Sequence, residues 1–301
     1  MTAGLGVGAY SVDGRARAPG LGLPRQTAPA TVSVRDQIAV PTLFEVILTA
    51  HNRFGMLSLR SVVQAAMRSV KDYTKDPIIR KRLMVLDALA RHGANTLEAL
   101  GINQSIIEAS GRSMDGVLTR DDLQPQPASV QELLAAPMGE HQVLSVVLDA
   151  APRYAPPPPP PTDIGVAIAG DMHGVMTAMV WAEPDETVLV SKEYELFGAR
   201  LNNAPTKGVT RRSAGSRIPL PTPMAIVRNE RGAWAVCGAS GSGRVEQKLN
   251  AMVSSRMYAL TKTEDPSPDS VVVGQGKGLS LWLVREQGEN LRAIEESWEQ
   301  I

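Results

Sequence analysis

The sequence predicts an α+β protein of packed layers rather than a doubly wound sheet. Three observations carry that reading. Apolar residues recur at helical spacing from about residue 41 to 109. Apolar and β-branched runs punctuated by Gly and Asp dominate from residue 164 onward. Six consecutive prolines, 156–161, stand between the two. Polyproline is a stiff extended helix rising about 3.1 Å per residue, which makes this run a spacer of roughly 19 Å. It divides a helical half, 1–155, from a strand-rich half, 162–301.

Residues 1–30 are rich in Gly, Ala and Pro. Within them, 5–9 followed by 11–15 reads as a strand and turn. From Pro41, the residues Leu43, Val46, Ile47 and Ala50 fall on one helical face, and 52–55 supply the stop. A second helix carries Val62, Val63, Ala66, Met67 and Val70. A third opens at Asp76-Pro77, where proline is tolerated in the first turn, and runs through Ile78, Leu83, Leu86 and Leu89 to Gly93. Two short helical pieces follow at 96–100 and 104–109. After a Pro-containing break at 124–127, Ser129 is placed to cap a short helix through Ala135, and 143–148 reads as a strand.

Beyond the prolines, 164–169 and 175–182 flank a Gly- and Asp-bearing hairpin turn at 170–174. A further strand is expected at 187–190. Residues 225–228 with 233–237, and 279–284 with 291–294, form two more hairpins. Between them the glycine-rich stretch 238–243 leads into a helix over 244–258, with Val245, Leu249, Met252 and Val253 on one side. No solenoid-period repeat is present.

At 301 residues and 43% hydrophobic content, the chain can bury one large core or two small ones. Lys plus Arg equals Asp plus Glu at 31 each, so no overall basic field argues for nucleic acid or an anionic membrane. The single cysteine, Cys237, excludes an intramolecular disulfide framework and a Cys-based zinc site. His51, His92, His141 and His173 show no ligand spacing, and no metal or other cofactor is expected. Residues 1–30 lack the apolar core of a secretory signal, and no run approaches the about 18–20 apolar residues of a membrane helix. A cytoplasmic protein is the expectation.

Two places could carry chemistry. A Thr opening a buried strand, as Thr162 does, is an N-terminal-type nucleophile if the chain is cut before it. The same residues also suit a plain surface linker, and composition does not choose. The loop 238–243 lies between strand and helix, where backbone N–H groups can meet an anion. A phosphate loop would want Lys where Arg244 stands, and a dinucleotide fold would want repeated βαβ units. An oxyanion hole and a structural glycine turn remain.

Five segments in order resemble the γ-glutamyltransferases, which are N-terminal-nucleophile (Ntn) hydrolases. Val40-Pro41 leading into Ala50-His51-Asn52-Arg53-Phe54-Gly55-Met56-Leu57-Ser58-Leu59 is similar to that family's VPG…AHxxYGxLP region. Residues 116–123 resemble its GG-x-LT-x-EDL segment, and Phe197-Gly198 with Leu201-Asn202-Asn203 its FG…LLNN stretch. Residues 219–227 resemble RPLSSMSPTIV, and 237–244 the TGSPGGSR loop in which the family builds its oxyanion hole. The resemblance spans most of the chain and implies a four-layer αββα Ntn fold, in which both halves form one domain and self-cleavage yields two subunits. It implies acyl transfer from a small-molecule amide by a new N-terminal threonine. Thr162 stands where that nucleophile belongs, Gly241 and Ser242 match the oxyanion-hole glycines, and Thr177 falls at a second threonine near the nucleophile. Asn202, Asn203, Thr222 and Arg244 fall at substrate-binding positions.

The chain also departs from the family. Thr162 is followed by Asp163 instead of Thr-His, and counted back from Thr177 it matches the second threonine of the family motif, with Pro161 at the nucleophile. Ala204 and Lys207 replace the residues that hold the glutamyl amine. Pro221 and Thr222 replace paired serines, and the region supplying a carboxylate-binding Arg is absent. A pocket without partners for both charged ends binds glutamate poorly, so a substrate other than glutathione is expected. Two classes of function follow: a divergent Ntn amide hydrolase or acyltransferase, and an inactive relative kept as a partner subunit or binding scaffold. A third is an unrelated α+β binding protein. A chain about half the family's extent is expected to pair with itself or with a longer relative to complete its pocket.

Overall fold

The computed structural model describes residues 2–4, 7–24, 38–70, 75–114, 116–138, 141–145, 164–170, 175–182, 189–194, 196–197, 213–218, 220, 222–229, 232–241, 249, 253, 272–274, 279–285 and 291–297. The chain forms two compact units. A sheet unit comprises Met1–Ser11, Val130–Glu183 and Leu220–Ile301, and a helical unit comprises Val12–Ser129 and Pro184–Pro219. Each draws on chain from before and after the proline run.

In the sheet unit, strands β1 (Thr2–Gly4), β2 (Val7–Asp13) and β3 (Ser129–Glu132) join β6 (Ile164–Gly170), β7 (Met176–Ala182) and β12 (Val272–Gly274) in the order β12-β6-β7-β1-β2-β3. A second sheet holds β4 (Leu134–Met138), β5 (His141–Ser145), β10 (Met224–Asn229), β11 (Gly232–Ala239), β13 (Leu279–Arg285) and β14 (Leu291–Ser297), in the order β14-β13-β11-β10-β5-β4. The three expected hairpins form: Ile164 faces Ala182, Ala225 faces Cys237 and Leu279 faces Ser297 in antiparallel register. Alternation along the strands sends every second side chain inward. Val166, Ile168, Met176 and Ala178 of the first sheet thus meet Leu144, Ile226 and Val236 of the second in one hydrophobic core.

Two strand-side expectations fail. The stretch 129–135 falls in two strands that meet at Leu133, not in a helix capped by Ser129: Leu133 N–H donates to Ala9 O (2.8 Å), and Leu134–Met138 pairs with His141–Ser145. Backbone pairing within the sheets outweighs the local helix preference of Leu134, Ala135 and Ala136. The turn expected at 11–15 is also displaced, because β2 continues to Asp13.

The helical unit contains α1 (Leu43–Phe54), α2 (Leu59–Ser69), α3 (Pro77–His92), α4 (Thr96–Ala99) and α5 (Ile102–Ser110), and a two-stranded ladder of β8 (Leu189–Ser191) with β9 (Leu196–Phe197). Capping follows the sequence closely. Ser58 Oγ accepts from Ser61 N–H (3.1 Å), Asp76 Oδ1 accepts from Ile78 N–H (2.8 Å) ahead of Pro77, and Gly93 ends α3 at φ +55°. Val85, Ile102, Ile106, Leu118, Leu123 and Tyr194 form its core, with Phe44 packed against them. Leu43, expected on the inner face of α1, is exposed instead. The buried Asp122 carboxylate accepts from the N–H groups of Gly20 (2.8 Å), Leu21 (3.0 Å) and Thr119 (2.8 Å) and from Thr119 Oγ1 (3.0 Å), tying two distant loops together. Among the described residues no helix is long and apolar enough to cross a membrane.

Candidate active site

Strand β11 runs straight into the glycine loop. At its end Gly238 faces Met224, and a Cβ at Gly238 would drive into Val166 of β6. Glycine there lets the two sheets approach where the loop begins. Ala239 N–H donates to Pro223 O (2.9 Å), holding the loop to the segment that enters β10. Gly241 then exchanges both backbone hydrogen bonds with Ile164: Ile164 N–H to Gly241 O (2.8 Å), and Gly241 N–H to Ile164 O (2.9 Å). Gly241 sits at φ +121°, a conformation only glycine adopts readily, and both it and Ser240 are buried. The loop is thereby fastened to the first residue of β6.

This fastening brings three predicted elements together: the glycine loop, the Thr222-Pro223 segment, and the start of the strand that follows Thr162. Thr222 O accepts from Met224 N–H (2.7 Å) one residue from the Pro223 carbonyl that holds the loop. Thr162, Asn202, Asn203, Ser242 and Arg244 lie outside the described residues.

Thr177 is not part of this gathering. It pairs with Ala169 of β6 and Thr2 of β1, whereas the residue opposite Ile164 is Ala182. Five residues of strand separate Ala169 from Ile164, about 17 Å at strand rise. The resemblance implies a position near the nucleophile for Thr177; the register instead pairs it with Ala169, five strand positions from Ile164. Gly241 also takes a different part from the one the resemblance implies. Its N–H is committed to Ile164 O, so in this structure it positions the loop and is not a free oxyanion donor.

Sequence reasoning missed Gly165. It pairs with Trp181, and a Cβ on it would collide with the indole, so Trp181 packs across the strand over Gly165. A glycine inside an otherwise apolar strand was the available signal. Cys237 offers no rival nucleophile. Burial pushes its thiol up to about 12, only partly opposed by its hydrogen bond to Ala225 O (3.6 Å). Among the described residues no three His, Cys, Asp or Glu side chains gather as a metal site.

No protein-family model matches the chain, and no curated protein matches it in sequence. Among solved structures it is similar to a cephalosporin acylase from Bacillus halodurans, with a TM-score of 0.56 and 10% identity over 100% of this chain and 87% of that one. At that identity the likeness concerns the fold alone, a mixed helix-and-strand architecture.

Proposed function

We propose that this protein is an Ntn-type amide hydrolase or acyltransferase with Thr162 as its nucleophile, acting on a small acyl amide other than glutathione within a four-layer αββα fold. The observation that carries the reading is the reciprocal Ile164–Gly241 pairing. Thr162 precedes Ile164 by two residues, so the covalent chain keeps their Cα atoms within about 7 Å. Ser242 follows Gly241 by one peptide. The pairing supports the reading because it joins the strand that Thr162 precedes to the loop that Ser242 continues. That a structural neighbour is an acylase supports the reaction class.

The chemistry begins on the chain itself. Thr162 Oγ attacks the Pro161 carbonyl and the Pro161–Thr162 C–N bond breaks, leaving an ester. Water hydrolyses the ester to free the Pro161 carboxylate and the Thr162 α-amine. That amine then takes the hydroxyl proton as Thr162 Oγ attacks the substrate amide, the amine product leaves with a proton, and water or an acceptor amine removes the acyl group. With the Gly241 N–H occupied, the Ser242 N–H is the loop amide assigned to the developing oxyanion. Thr222, next to the Pro223 carbonyl that holds the loop, is assigned as a substrate contact, and the resemblance adds Asn202, Asn203 and Arg244 as substrate-binding residues.

A second reading, an inactive relative serving as scaffold or partner subunit, is favoured by the Gly241 hydrogen bond and by Ala182, which brings no hydroxyl to the strand start. Turnover of a panel of acyl amides distinguishes the two. The enzyme reading expects activity in the native chain and a loss of about a thousandfold or more in Thr162→Ala. Activity that survives this substitution sinks the assignment.

A further inference from the structure

Charge in this chain is segregated although its total is zero. Residues 53–92 hold nine Lys and Arg against three Asp. The same stretch, α2 and α3 with the corner before them, supplies Met56, Leu57, Val62, Ile78 and Met84, most of the large apolar side chains exposed among the described residues. Met56 is 99% and Leu57 67% exposed. Their exposure is built in: His51 Nε2 donates to Leu57 O (2.8 Å) and Gly55 N–H to His51 O (2.7 Å), pinning the α1–α2 corner so that both side chains point to solvent. Arg53 and Arg60 stand three residues to either side of this pair. Helix α2 itself buries only Val63.

We propose that the α2–α3 hairpin and its Met56-Leu57 corner form a docking surface for an anionic phospholipid bilayer. Basic side chains near a negatively charged leaflet draw the protein to it, and an apolar pair at a fixed corner enters the headgroup boundary, the two contributions that together hold interfacial elements. A second copy fits this surface poorly, because a two-fold contact would set one cationic patch against its twin. Nucleic acid would satisfy the arginines and lysines but has no use for five exposed aliphatic side chains.

The test is flotation of the full chain with vesicles of phosphatidylcholine alone and with about 30% phosphatidylserine. The expected result is binding to the anionic vesicles at least about tenfold stronger than to the neutral ones, and its loss at about 0.5 M salt. Arg60→Glu/Arg68→Glu/Arg80→Glu/Arg82→Glu should weaken it on the order of a hundredfold. Met56→Ser/Leu57→Ser should weaken it while leaving the salt dependence in place. All six positions are exposed, so unchanged circular dichroism and melting certify the fold. Absence of vesicle binding, equal binding to both vesicle types, or binding indifferent to both sets of variants would overturn the proposal. Salt-sensitive DNA binding without vesicle binding would overturn it in favour of a different polyanion.

Discussion

Ile164 and Gly241, 77 positions apart, exchange both of their backbone hydrogen bonds, at 2.8 and 2.9 Å. This one pairing joins the start of strand β6 to the glycine loop after β11, and the functional reading depends on it.

Gly241→Ala should damage that junction. At φ +121° an L side chain is strained, and the expected cost is about 1–3 kcal/mol, read as a lower midpoint in chemical denaturation. If Gly241 only positions the loop, chain cleavage should fall with it, and a chain that both folds and processes normally would contradict that role.

Gly238→Ala should overpack the sheet-to-sheet contact, since the added Cβ falls well inside 3.0 Å of the Val166 side chain. A destabilisation of about 1–3 kcal/mol is expected. Combined with Val166→Ala the two effects should be less than additive, because the smaller side chain makes the room. Additive losses in the double-mutant cycle would mean the contact is not the reason for the glycine.

Asp122→Ala should cost about 3–5 kcal/mol, because it strands the N–H groups of Gly20, Leu21 and Thr119 beside a fully buried site. Asp122→Asn should cost less, as one amide oxygen still accepts. Urea titration of the two variants checks the order.

Acid should release a contribution from Asp13. Burial raises its carboxyl, but hydrogen bonds from Arg15 and the charges of Arg15 and Arg217 outweigh this and hold it below the ordinary 3.8. A depressed folded value means stability present above pH 3.8 and lost as pH falls through the lower, folded value. Asp13→Asn should therefore be less stable at neutral pH and show a flatter acid limb. The Glu45 carboxyl is raised by burial despite Arg17, so it acts in the opposite sense, with stability declining as pH climbs from 4.5 through its folded value.

Cys237 should be silent. With its thiol near 12, about one molecule in ten thousand carries a thiolate at pH 8, so alkylating reagents should label it only after unfolding. Rapid labelling of the native chain would contradict its burial.

Much of the fold could be read because local chemistry announces it. Asp76-Pro77 fixes the start of α3 through a cap and a tolerated proline, and Asn229 and Gly232 mark the facing ends of β10 and β11. What stayed hidden was set by distant partners. Ser129 through Glu132 satisfies a capping-box pattern, yet the backbone pairs with strands, because sheet pairing is invisible to local propensity. The glycine loop was legible from its composition, but its contact with Ile164 was not. Thr177 shows the limit of a matched motif position: register, not likeness of sequence, decides which residues of a hairpin are neighbours.

The central claim is that Thr162 becomes an N-terminal nucleophile, and the mass of the freshly purified intact chain tests it most directly. The account expects two fragments meeting between Pro161 and Thr162, and a single species in the Thr162→Ala variant. One uncut chain of 32.2 kDa that persists for days would contradict it and leave the scaffold reading in its place.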